Sequence, residues 1–133
     1  MIKTDYFLRM LEEFFKAISR LINKDVKDRT DEELKSIYTQ YVGDFELLRN
    51  FSSDEAIAYA EDQWSEERRI SKLEMLAELW YIESTFKEHP LSDILLEKSL
   101  SLFCFVDNNS LEYSVARKNK INTIQKLVAK SAS

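Results

Sequence analysis

The chain of 133 residues contains one glycine, one proline, one cysteine and one histidine, where average usage would supply about nine glycines and seven prolines. Tight hairpins, phosphate-cradling loops and strand-rich barrels need those residues for positive φ and for turn starts, so an all-β fold, a dinucleotide-binding βαβ unit and a P-loop are excluded. The net charge of −5 is unevenly placed: residues 1–112 carry ten more acids than bases, and residues 113–133 carry five bases and no acid.

Apolar side chains spaced at 100° per residue predict a first helix from Asp5 to Asn23. Its apolar residues, among them Phe7, Leu11, Phe14 and Ile18, fill one continuous arc about 200° wide, whereas a surface helix needs little more than about 100°. Such a helix must cover two neighbours, or one neighbour and a second subunit. Lys24 to Arg29 reads as a polar connection. Thr30 with Glu33 is a capping-box signature, opening a helix with Leu34, Ile37, Tyr38 and Tyr41 on one face. Gly43 stands where a helix is expected to end.

Asp44 to Phe51 reads as a linker or short helical turn, and Ser52 with Glu55 opens a weakly apolar helix carrying Ala56, Ile57, Ala60 and Trp64. From Glu66 to Lys87 the chain reads as one long helix, apolar nearly all round apart from a wedge of Glu74, Glu78 and Thr85; that is the pattern of a central, buried helix. Pro90 breaks the chain, with Ser92 as a cap and a helix from Asp93 to Val106. Asp107 to Ser110 reads as a turn, and Leu111 to Lys130 as the last helix. The whole, residues 1–133, reads as a single all-α domain of five to six antiparallel helices joined by short loops.

The pattern Leu73, Leu76, Ala77, Trp80, followed by Leu96, Ser99, Phe103, Val106, resembles the paired helices of a tetratricopeptide repeat. Ala77 and Ser99 stand 22 residues apart rather than at the repeat's own spacing, so the reading is of similar helical hairpins and not of an array. The opening run, with Asp5, Tyr6, Arg9 and Met10 leading into an amphipathic stretch over residues 2–24, resembles a family of small bacterial helical proteins of unknown activity. That resemblance implies a tetratricopeptide-like fold and a bacterial origin, and no activity.

Few side chains could carry chemistry. His89 and Cys104 lie 15 residues apart, too sparse for the Cys and His set that zinc requires, and a di-iron bundle needs a Glu-x-x-His pair on each of two helices. No metal or other cofactor is expected. The same scarcity opposes a nucleophile–base–orienter set, so no enzyme is expected. His89 reads as solvated and Cys104, between Phe103 and Phe105, as a small buried hydrophobe.

Two charges fall in apolar stripes, Arg117 in the last helix and Glu83 in the long one. Buried charges need partners, so Arg117 is expected to pair with Glu83 first, and with Glu78 or Glu74 next. The alternatives are that Arg117 snorkels from the end of its stripe with Glu83 exposed, or that Arg117 binds an anionic ligand. Trp80, Tyr81, Tyr38, Tyr41 and Trp64 either form core or line a groove with Glu74 and Glu78 at its rim, suited to a helix or a basic peptide.

The acidic body and basic last helix read as self-complementary or as an arm for an acidic partner. Without interleaved aromatics in that arm, nucleic acid is not an expected partner. No apolar run approaches the ~18 residues of a membrane span. The N-terminus lacks a signal peptide's continuous apolar segment, and the single cysteine fits a reducing cytoplasm. Together these features lead to a non-enzymatic protein-interaction module, acting through an aromatic face or through the first helix and homodimeric in the latter case. A small-anion or metabolite sensor with a pocket between helices, and an acidic protein of antitoxin or immunity type, are the alternatives.

Overall fold

A computed structural model describes the backbone of residues 2–132 and the side chains of residues 8–131. The described residues form helices and no strands: α1 (Ile2–Ile22), a 3-10 turn (Val26–Asp28), α2 (Asp31–Tyr41), α3 (Phe45–Leu48), α4 (Ser53–Gln63), α5 (Glu66–Ser84), α6 (Leu91–Asn109) and α7 (Val115–Ala132).

Local chemistry sets most of the helix starts. The Thr30 hydroxyl accepts the Glu33 amide at the start of α2, and the Asp44 carboxylate accepts the Leu47 amide at the start of α3. Ser52 and Glu55 complete a reciprocal capping box before α4, worth about 1 kcal/mol. Gly43 follows α2 with φ of +153°, and a Cβ there would lie 3.1 Å from the Leu48 side chain. Backbone conformation and space therefore both favour glycine at this turn.

α5 is the central element, packed on α1, α2, α4 and α6, and α7 packs on α6. Leu73, Met75, Leu76, Ala77, Leu79, Trp80 and Ile82 are buried together with Phe14, Leu34, Tyr38, Leu95, Phe103 and Ile124. At the α5–α6 contact two small residues meet: the buried Ser99 hydroxyl donates to the Ala77 carbonyl at 2.8 Å. This bond satisfies a polar group that would otherwise cost about 1–3 kcal/mol to bury.

Several expected boundaries move, among them the end of α5, which lies at Ser84 and not at Lys87. α6 continues through Asp107 to Asn109, where a turn was expected, because Arg117 and Lys118 from the next helix hold the Asp107 carboxylate. α7 consequently starts at Val115 instead of Leu111, with the Ser114 hydroxyl accepting the Arg117 amide at 3.1 Å. Ser92 lies inside α6, which starts at Leu91, and does not cap it. The segment expected as a linker or turn before Phe51 contains α3, so the described helices number seven. No described helix is long and apolar enough to cross a membrane.

Candidate functional site: a cleft between α1, α5 and α7

Arg117 is buried, 5% exposed, but Glu83 is not its partner. Its Nε donates to Asp107 Oδ1 at 2.9 Å, Nη1 to Glu74 Oε1 at 3.3 Å, and Nη2 to the Glu112 carbonyl at 2.9 Å. Of the expected carboxylates, Glu74 is therefore the one Arg117 reaches, and Asp107 is an unexpected addition. Arg117 does not snorkel, and each of its three nitrogens already donates to a protein oxygen.

Glu83 is fully buried beneath Arg49. The Arg49 Nε and Nη2 lie 3.0 Å and 2.7 Å from Glu83 Oε2, and Lys87 Nζ stands 3.8 Å away. Arg49 follows the four-residue α3 in a stretch without helical periodicity, so nothing in the sequence marked it as a partner. Topology separates the two charges: Arg117 meets the first half of α5 through Glu74, and Glu83 lies at the other end of α5 against Arg49, which follows α3.

Phe14, Ile18, Tyr38, Tyr41 and Trp80 are core residues, so these aromatics do not line a groove among the described residues. Tyr38 meets Phe45 edge to face at 5.0 Å, and Phe14 meets Tyr41 likewise at 5.6 Å. Lys98 Nζ lies 4.3 Å from the Trp80 ring centroid and donates to the Arg49 and Phe51 carbonyls. Burial pushes its pKa down to about 8, with the Arg49 charge acting in the same direction. Tyr81 is half-buried, with Lys120 Nζ 4.4 Å above its ring. The side chain of Phe7 lies outside the described residues.

A groove does exist with Glu74 and Glu78 in it, between α1, α5 and the start of α7. It is a cleft of 520 Å³. α1 supplies an apolar wall of Leu11, Phe15, Ile18 and Ile22; α5 supplies Ile70, Glu74 and Glu78; Glu112, Tyr113, Arg117 and Lys120 form the opposite side. α5 and α7 run in the same direction, so Glu74 faces Arg117 and, one turn further, Glu78 faces Lys120.

Compensation along that row is uneven. Burial pushes the Glu74 carboxyl above the usual range, with Arg117 opposing and Asp107 reinforcing the shift. Burial likewise raises Glu78, with Lys120 opposing and Glu74 reinforcing. The Glu78 side chain is only 9% exposed, and Lys120 Nζ stands 3.8 Å from it, beyond hydrogen-bond length. From the cleft wall the apolar arc of α1 continues to the surface through Phe15, 41% exposed, to Leu8, 51% exposed and outside the cleft. This edge is the part of the wide arc that α2 and α5 leave uncovered.

One cluster has the composition of a catalytic set: His89, Ser92 and Asp93. Both the Asp93 carboxylate, at 2.9 Å, and the Ser92 hydroxyl, at 3.2 Å, lie against the same ring nitrogen, Nδ1. Activating a serine requires the acid on one imidazole nitrogen and the hydroxyl on the other, so this arrangement orients a surface histidine and does not prepare a nucleophile. Cys104 is half-buried and its thiol is pushed up by burial and by Asp107, which opposes thiolate chemistry. Among the described residues no group of three or more His, Cys, Asp and Glu is placed to hold a metal ion.

No protein-family model, no curated protein and no solved structure matches this chain.

Proposed function

We propose that the protein is a non-enzymatic interaction module whose cleft between α1, α5 and α7 receives a helical segment of a partner protein. The observation carrying this reading is the continuity of an exposed apolar edge, Leu8 and Phe15, with the cleft wall of Leu11, Ile18 and Ile22. Covering a leucine and a phenylalanine that are half exposed is worth about 1 kcal/mol each. The edge alone falls well short of the ~800 Å² per partner of a stable interface, so an occupant must also enter the cleft. An amphipathic helix does this by laying its apolar stripe along the groove.

An anion sensor built on Arg117 is less well supported, because that guanidinium is committed to Asp107, Glu74 and the Glu112 carbonyl. A second copy of the chain is the competing occupant.

Crosslinked capture from the source cell, comparing wild type with Phe15→Glu and with the distant surface variant Asp62→Asn, tests the reading. The expected result is a partner retained by wild type and Asp62→Asn and lost by Phe15→Glu, with wild type of monomeric mass in light scattering. A dimeric mass that Phe15→Glu abolishes assigns the surface to a second copy, and equal capture by all three proteins refutes the reading.

A further inference from the structure

The cleft has a charge asymmetry that specifies its occupant more closely. Resting on the docking reading above, we propose that the segment entering the cleft is a cationic amphipathic helix from another protein, which places a lysine or arginine beside Glu78. Three observations lead there. The cleft's fixed cations are already engaged: Arg117 holds Asp107, Glu74 and the Glu112 carbonyl, and Lys120 lies over the Tyr81 ring while forming only a long ion pair with Glu78. Glu78 is nine-tenths buried, lines the cleft, and has its nearest ammonium at 3.8 Å, leaving its oxygens open to a closer donor. The facing wall of Leu11, Phe15 and Ile18 is apolar, so the occupant must combine a cation with an apolar stripe.

Charge also separates this occupant from a second copy. An isologous dimer brings the same surface to both sides of its axis, so Glu74, Glu78 and Glu112 would approach their own counterparts. Residues 1–112 of each copy carry ten more acids than bases, and like charges brought together disfavour a wrong partner.

The test uses two labelled synthetic helices of about four turns, with leucines at i, i+3, i+4 and i+7 and either lysine or glutamate at the remaining positions. Their binding to the full chain is read by fluorescence anisotropy. The lysine helix is expected to bind at least about tenfold more tightly than the glutamate helix, and Glu78→Gln to remove most of that preference, whereas Asp62→Asn preserves it. Gln at position 78 keeps the side chain's shape and removes a charge that burial disfavours, and a melting temperature no lower than that of wild type confirms the variant's fold. Equal binding of the two helices, or an undiminished preference in Glu78→Gln, overturns the cationic assignment. In that event, loss of binding in Phe15→Glu leaves the docking reading standing. Binding of neither helix to wild type counts against both.

Discussion

Arg117 is the side chain on which the junction of three helices depends. It closes α7 onto α5 through Glu74, fixes the end of α6 through Asp107, and holds the α6–α7 connection through the Glu112 carbonyl. Removing one member of a buried ion pair strands the other, at a cost of about 3–5 kcal/mol. Arg117→Met is therefore expected to lower the urea midpoint by an amount equivalent to about 3 kcal/mol, since Asp107 keeps Lys118 as a partner. An unchanged midpoint would contradict this role. The sequence singled out Arg117 and Glu83, because each interrupts an apolar stripe, but left pairing and exposure both open; both are buried. Their partners were not legible, because pairing depends on which helices meet. Arg117 and Asp107 stand ten residues apart across a tight connection, while Arg49 reaches Glu83 from 34 residues away.

Among the elements, capping signatures in the sequence marked the starts of α2 and α4, where Thr30 and Ser52 accept an amide of the following helix. Asp44 caps α3 in the same way, but without a Glu three residues on it carried no such signature, and its segment read as a linker or short turn. The sequence misplaced the boundary between α6 and α7, where Asp107, Asn108 and Asn109 have turn-like composition. There the ion pairs of Asp107 with Arg117 and Lys118 keep the segment helical, a case of tertiary contact overriding local propensity. The width of the α1 arc was also informative, though not as a division between two fully covered sides. Phe14, Ile18 and Leu21 are buried, while Leu8 and Phe15 remain at the surface. The rim acids Glu74 and Glu78 do lie in a groove, but its wall is the apolar side of α1, because Trp80, Tyr38 and Tyr41 are needed in the core.

For the whole molecule, the acidic body and basic last helix prove internally complementary, with Arg117, Lys118 and Lys120 paired to acids of α5 and α6. The residual imbalance at Glu74 and Glu78 sets a pH dependence. Both carboxyls are raised by burial, so in the window between their unfolded and folded pKa values the native state binds more protons than the unfolded chain. Stability then rises as pH falls through that window. Asp107, lowered by Lys118 and Arg117, and Asp93, lowered by Ser131 and His89, act in the opposite sense. Their stabilisation is complete above the ordinary aspartate range and is lost as pH falls below it. The melting temperature is therefore expected to increase on moving from neutral to mildly acidic pH and to fall in stronger acid, with a smaller initial rise in Glu78→Gln. Identical profiles for the two proteins would contradict this account of the cleft.

Amide chemical-shift mapping during titration with the lysine-bearing amphipathic helix is the most direct test of docking in the cleft between α1, α5 and α7. Perturbations are expected to concentrate at Leu11, Phe15, Ile70, Glu78 and Lys120, with α4 silent. Perturbations spread along the acidic surface, or centred on α4, would contradict docking there.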